Sequence, residues 1–210
     1  TMVDWKQAFD RQYPKLGIEA FMRNGVRRSL IPLLTNYLQN RKMFVKWNGE
    51  VSEEMDLNGG GPQGALWGIL EYLSLSNDNT SYLSMQEKFK YIDDLSILEK
   101  VNLLSIGLST YNFKHNVASD IPQGGFFLEP ENLKTQDSLN RITEWTKQNQ
   151  MLLNINKTKT MNFNFTRKHQ FASRLKIENE VLETISETKL LGVIVTDTFS
   201  WDPNTKYLVK

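Results

Sequence analysis

Apolar side chains recur along the chain at two spacings, and the spacing assigns each stretch to a helix or a strand. Leu16, Ile18, Phe21 and Met22 suit a short helix that Asn24-Gly25 ends, since both residues tolerate a left-handed backbone. Leu30, Leu33, Leu34, Tyr37 and Leu38 form the apolar stripe of a second helix over 27–39. Residues 41–57 read as a hairpin: 43–47 is β-prone, Asn48-Gly49 is a turn signal and 51–57 returns. The glycine-rich run 58–64 leads into a helix over 65–75, and 76–81 is polar and turn-like. Two short strands, 89–92 and 95–98, flank Asp93-Asp94, which the pattern puts in a tight turn. Leu139, Ile142 and Trp145 share one face of a helix over 133–150, and further strands are expected at 151–155, 161–165, 175–177 and 190–196. Residues 109–132 lack periodicity, contain Pro122, Gly124, Gly125 and Pro130, and read as a long loop or insertion. Met2-Val3-Asp4-Trp5 reads as the end of a strand that begins upstream.

Composition adds little to this picture. With 210 residues, 40% hydrophobic and 23% charged, the chain suits one large globular domain, or a domain with a small appendage. No apolar run approaches the roughly 18 residues that span a bilayer, and the first residues lack a signal-peptide pattern. There is no cysteine, hence no disulfide and no thiolate metal site, and only His115 and His169 are present for a histidine site.

Charge is more informative than its net value of +1. Residues 1–48 carry nine basic and three acidic side chains, and residues 134–176 carry nine and two. Between them, residues 49–133 carry four basic and thirteen acidic side chains. If the basic segments fold onto one face they can follow a phosphate backbone while the acidic part holds metal. The alternative is an ordinary set of solvated faces.

Three short motifs bear chemistry. In Tyr91-Ile92-Asp93-Asp94, adjacent carboxylates at a hairpin tip repel and raise each other's pKa, a penalty that a divalent cation removes. Taken alone, such a pair is also a common solvated turn. Asp4, at the end of an apolar strand, presents a carboxylate above a sheet edge, with Phe9 following after a turn. Gly61-Pro62-Gln63-Gly64 precedes a helix, where glycines allow close backbone approach and free N–H groups suit a phosphate, sugar or base edge.

The order of these motifs resembles that of reverse transcriptases, in particular the polymerases of non-LTR-type retroelements. Asp4 to Asp10 resembles motif A, 40–49 the hairpin before motif B, and Gly61 to Gly64 with its helix motif B. Tyr91 to Asp94 resembles motif C, Trp145 with 153–159 motif D, and 189–193 motif E. Phe199-Ser200-Trp201 resembles the approach to a thumb. Ala65 stands where many members have serine, Gly68-Ile69-Leu70 stands where a proline is usual, and the segment between motifs C and D is long.

The resemblance implies an α+β polymerase palm: an antiparallel sheet bearing Asp4 and the Asp93-Asp94 hairpin, with helices on one face. It puts the palm at 1–185 and a primer-grip hairpin with the start of a thumb at 186–210, with fingers and the rest of the thumb outside the chain. The implied reaction is RNA-directed DNA synthesis from dNTPs on an RNA or DNA template with a DNA or RNA primer. Two Mg²⁺ ions, replaceable by Mn²⁺, are implied, with Asp4, Asp93 and Asp94 as ligands and catalytic carboxylates. Gln7 and Ala8 would offer N–H groups to the triphosphate, and Phe9 would act as a steric gate against a 2′-hydroxyl. Gln63 would touch the template base or the nascent pair, and Lys157 would approach the pyrophosphate, with Lys159 competing for that role. Gly192 and Val193 would lie in the primer grip. An intracellular location and no membrane partner complete the expectation. Three readings compete: an RNA-dependent RNA polymerase, which Phe9 and Tyr91-Ile92 disfavour; a non-catalytic, domesticated palm that serves as an RNA-binding scaffold; and a metal-dependent nuclease, which leaves the Pro-Gln-Gly helix unexplained.

Overall fold

The computed structural model describes residues 1–62, 64–80, 87–101, 126–128, 133–165 and 171–209. Gln63 and most of 109–132 lie outside the described residues.

The first part of the chain runs β1 (Met2–Val3), α1 (Pro14–Arg23), a 3-10 turn at Arg28–Leu30 and α2 (Ile31–Leu38). A nested hairpin follows, with β2 (Arg41–Met43) on β5 (Met55–Leu57) and β3 (Lys46–Trp47) on β4 (Glu50–Val51). Then come α3 (Leu66–Leu75), a 3-10 turn at Ser76–Thr80, and β6 (Lys88–Tyr91) antiparallel to β7 (Asp94–Ile97). After β8 (Phe126–Leu128), α4 (Lys134–Gln148) leads to β9 (Lys159–Thr160) and to β10 (Phe171–Ser173), which pairs with β8 in parallel. The remainder is β11 (Lys176–Ile177), β12 (Glu180–Val181), β13 (Glu183–Thr184), β14 (Glu187–Leu190), β15 (Val193–Thr196) and α5 (Asp202–Leu208).

One sheet organises the molecule, in the order β13-β9-β1-β7-β6. Its centre is antiparallel, and only the β13 edge joins β9 in parallel. Alternation divides its residues. Val3, Trp5, Leu95 and Ile97 point to one face and are buried with Tyr72 and Leu75 of α3 and Leu139, Ile142 and Trp145 of α4. Trp5 meets Trp145 edge to face at 5.8 Å. Each large side chain so buried contributes roughly 1.5–3 kcal/mol, and this face is what joins sheet to helices. The opposite face bears Met2, Asp4, Asp94 and Ser96, with Phe89 and Tyr91 exposed beside them. A second cluster, Ile18, Phe21, Leu34 and Leu38, packs α1 on α2. Between α1 and α3, Gly17 leaves room for Glu71, whose side chain lies where a Cβ would stand.

Several elements follow the sequence pattern. Asn48 and Gly49 form the β3–β4 turn with positive φ at both, and the apolar face of α4 is buried as expected. Other expectations are corrected. The carboxylate hairpin turns at Ile92-Asp93, one residue earlier than the pattern places it, because Tyr91 pairs with Asp94. The segment 190–196 is not one strand: Leu191-Gly192 turns it into the β14–β15 hairpin. Residues 161–165 form no strand, and 151–155 contribute a single bridge, Leu153 to Trp5. Of the α2 stripe, only Leu34 and Leu38 are buried, while Leu30, Leu33 and Tyr37 are exposed. The 28–38 segment also starts as a 3-10 turn, with Pro32 in the first turn of α2. Within 109–132, residues 126–128 form β8. No described helix is long and apolar enough to cross a membrane.

Candidate functional site

The sheet register brings the first carboxylates together. Met2 faces Ser96 and Val3 faces Leu95, so Asp4 is the next residue in line, opposite Asp94. Asp93 sits in the adjoining two-residue turn. That turn is strained: Ile92, a β-branched residue, has φ 53° at the position where a hairpin of this kind favours glycine. Its side chain packs against the main core, which holds the tip of the hairpin down.

The backbone of Asp4 is fixed from the other side by the 154–158 turn. The Asp4 N–H donates to Thr158 Oγ1 at 3.1 Å, and the Thr158 hydroxyl donates to the Asn154 carbonyl at 3.0 Å. The Asn154 N–H donates to the Asp4 carbonyl at 2.9 Å. Thr158 is fully buried.

The charges of the three carboxylates act on one another. Burial raises the pKa of Asp4, and Asp93 adds to this, while the Lys157 charge and a hydrogen bond from Asn154 pull it back. Burial also raises Asp94, followed by the charges of Asp93 and Asp4. Burial, then Asp93 and Asp94, push up the hydroxyl pKa of Tyr72. Negative charge on this face is thus only partly compensated by Lys157. Among the described residues, no three Asp, Glu, His or Cys side chains are gathered to hold one metal ion. The donor set suits a hard divalent cation bound by one or two carboxylates, with the remaining ligands coming from phosphate oxygens and water.

The wall beside the carboxylates is built from the turn after β1 and the glycine run before α3. Gly60 N–H donates to the Gln12 carbonyl at 2.8 Å and Gly61 N–H to the Phe9 carbonyl at 2.7 Å. A side chain at Gly61 would meet the end of the buried Gln12 side chain, which would have to shift. Arg41 donates to the carbonyls of Gly59 and Gly60 and braces the run from outside. Phe9, partly buried, lies against Tyr72 with ring centroids 5.1 Å apart. Gln7 is exposed with φ 56° and Ala8 is buried. Among the described residues, the N–H groups of Gln7 and Ala8 have no hydrogen-bond partner.

The two candidate lysines of the 157–159 stretch are separated by their partners. Lys157 is exposed and its charge acts on Asp4, whereas Lys159 pairs with Glu183 across β9 and β13. Gly192 lies at the tip of the β14–β15 hairpin and Val193, largely exposed, begins β15.

The chain resembles two transposon RNA-directed DNA polymerases. A probable RNA-directed DNA polymerase from transposon X-element of Drosophila melanogaster is 25% identical over 199 residues, 92% of this chain and 19% of the relative. A probable RNA-directed DNA polymerase from transposon BS of the same organism is 23% identical over 215 aligned positions, 98% of this chain and 21% of the relative. The chain spans about a fifth of the length of either relative. No protein-family profile matches it. The similarity supports a reverse-transcriptase-like relationship over most of the chain.

Sequence reasoning missed Tyr72, Asn154 and Thr158. Tyr72 is one apolar-face residue of α3 among several, and nothing in its spacing marks it. Asn154 and Thr158 carry the spacing of a helical turn, but their hydrogen bonds to the Asp4 backbone exist only once β1 lies against that segment.

Proposed function

We propose that this chain is the palm of a reverse transcriptase, an α+β unit that works within a longer polypeptide and adds dNTPs to a primer on an RNA or DNA template. One observation carries the reading: the β1–β7 register, extended one step past Val3–Leu95, sets Asp4 across from Asp94, with Asp93 in the adjoining turn, on the face of the sheet away from α3 and α4. The similarity to transposon polymerases over nearly the whole chain supports it.

In this reading the primer 3′-oxygen bonds to the α-phosphorus of the dNTP, and the bond from that phosphorus to the α,β-bridging oxygen breaks. Pyrophosphate leaves, and the hydroxyl proton passes to solvent. Two Mg²⁺ or Mn²⁺ ions held by Asp4, Asp93 and Asp94 would lower the pKa of the attacking hydroxyl and neutralise the leaving group. The free N–H groups of Gln7 and Ala8 bind triphosphate oxygens. Lys157, whose charge already faces Asp4, stabilises the departing pyrophosphate. Phe9, backed by Tyr72, forms a floor that leaves no space for a 2′-hydroxyl and so favours dNTPs over NTPs. Gln63 touches the template base, and Gly192 and Val193 support the primer. Fingers and thumb segments of the longer polypeptide complete the grip on template and primer.

A second reading, a non-catalytic palm that holds RNA, is favoured by one observation: among the described residues no three metal ligands are assembled in advance. The deciding experiment is primer extension on an RNA template by the complete parent protein with Mg²⁺, comparing wild type with Asp93→Asn. Extension that needs dNTPs and vanishes in the variant supports the polymerase. A folded wild-type protein that binds RNA without extending the primer supports the scaffold.

A further inference from the structure

Among the described residues, a stack of aromatic rings links the last part of the chain to the rest. β14, β15 and α5 secure one another: Lys189 donates to the Tyr207 hydroxyl at 2.8 Å and lies over its ring. The Asn204 side chain accepts from the Ile194 N–H at 2.7 Å and donates to the Ile194 carbonyl at 2.6 Å. The unit has no core of its own. Its buried residues are Thr196 and Asn204, and neither hydrophobic cluster draws a member from 187–209. Among the described residues, no hydrogen bond or ion pair crosses from 187–209 to 1–184.

What crosses is an aromatic stack. The Phe199 ring lies 4.6 Å from Phe163 at 16° and 5.9 Å from Phe165 at 10°. Phe199 is held in place by an unusual backbone: its φ is 55°, a region that bulky L side chains rarely adopt. Thr196 fixes that turn. Its carbonyl accepts the Phe199 N–H at 3.0 Å and its hydroxyl oxygen accepts the Ser200 N–H at 2.8 Å. A strained residue whose ring bridges two units among the described residues points to a role for that ring in setting their orientation.

We propose that Phe199 is a positioning residue: its stack on Phe163 and Phe165 orients the β14–β15 hairpin against the sheet that carries Asp4 and Asp94, and so places the primer terminus. The orienting role stands on the geometry alone, while the link to the primer rests on the polymerase reading.

The test uses the complete parent protein and two readouts. The 210-residue chain has no cysteine, so Glu144→Cys on α4 and Lys206→Cys on α5 place a spin-label pair across the stack without competing thiols from this chain. The expected result is a narrow distance distribution in the labelled parent, a broad one with Phe199→Ala, and recovery of the narrow one with Phe199→Tyr. In primer extension, Phe199→Ala should raise the KM for primer–template by about three- to tenfold, the range one aromatic pair provides, with kcat and the dNTP KM within about twofold. Phe199→Tyr should restore it. A distribution that stays narrow in Phe199→Ala overturns the proposal whatever the activity. A broad distribution with unchanged primer–template KM in an active enzyme overturns the link to the primer. Broadening in a protein that never extends a primer supports the orienting role and removes the polymerase reading.

Discussion

Asp4 follows directly on β1, and extending the Val3–Leu95 register by one step sets it across from Asp94 of β7; each has its carboxyl pKa raised chiefly by burial. Like charges directly opposite in a ladder destabilise it, so the pair is an electrostatic liability in the absence of a cation. Removing one charge should relax the other. In Asp4→Asn, the Asp94 carboxyl pKa should fall toward the ordinary carboxylate range, read by carbon-detected NMR titration without divalent ions. An Asp94 titration unmoved by the substitution would mean that the two groups do not share a field.

The same liability predicts metal-linked stability. If the cluster binds Mg²⁺, ligand at about ten times its dissociation constant stabilises the fold by roughly 1.4 kcal/mol. A thermal melt of the wild type should therefore shift upward with millimolar Mg²⁺, and melts of Asp4→Asn and Asp94→Asn should shift much less. An equal shift in all three proteins would place the bound ions elsewhere.

On the polymerase reading proposed above, sugar selectivity should depend on two rings rather than one. Phe9→Ala should admit NTPs in the complete enzyme and lower the ratio of dNTP to NTP kcat/KM. Because Tyr72 backs Phe9 and is itself buried, Tyr72→Leu should lower the same ratio to a smaller extent, and Tyr72→Phe should not. A Phe9→Ala enzyme with undiminished discrimination would remove the gate assignment.

Glu71 predicts a pH dependence of stability remote from the carboxylate cluster. It is fully buried, its two carboxyl oxygens have no hydrogen-bond partner among the described residues, and burial raises its pKa from 4.5 to about 7 against a weaker pull from Arg41. A carboxyl whose folded pKa is raised binds more protons folded than unfolded, so stability falls as pH rises from about 4.5 through about 7. The loss on full ionisation is roughly 3 kcal/mol. Urea unfolding at pH 5 and pH 8 should show this loss in wild type and much less of it in Glu71→Gln. Equal pH slopes for both proteins would contradict it.

Thr158 offers a test of how Asp4 is held. Its hydroxyl accepts the Asp4 N–H and donates to the Asn154 carbonyl. Thr158→Val keeps the shape but strands the Asp4 N–H, while the Asn154 carbonyl keeps the N–H groups of Lys157 and Thr158, and the change should cost about 1–3 kcal/mol. Lys157→Ala leaves those bonds intact and should be nearly neutral for stability while raising the Asp4 pKa further, since it removes the cation that lowers it.

What the sequence determined by itself is local. Asn48-Gly49 specifies its turn because few residue pairs accept two positive φ angles. The 3.6-residue spacing of Leu139, Ile142 and Trp145 makes α4 amphipathic, and burial follows. Asp4, Phe9 and the Tyr91-Ile92-Asp93-Asp94 hairpin were legible as chemistry because carboxylates and an aromatic stand where short strands end. Tertiary structure decided the rest, since it depends on which strands meet and in what register. Pairing of Tyr91 with Asp94 moved the turn onto Ile92-Asp93, a choice that local propensity opposes and that the packing of Ile92 sustains. Alignment of β1 with β7 put Asp4 across from Asp94, and contact with the 154–158 turn attached Lys157 to that pair while Glu183 took Lys159. The Phe199 stack is likewise invisible to any window along the chain, because its partners, Phe163 and Phe165, precede it by a span that only folding closes.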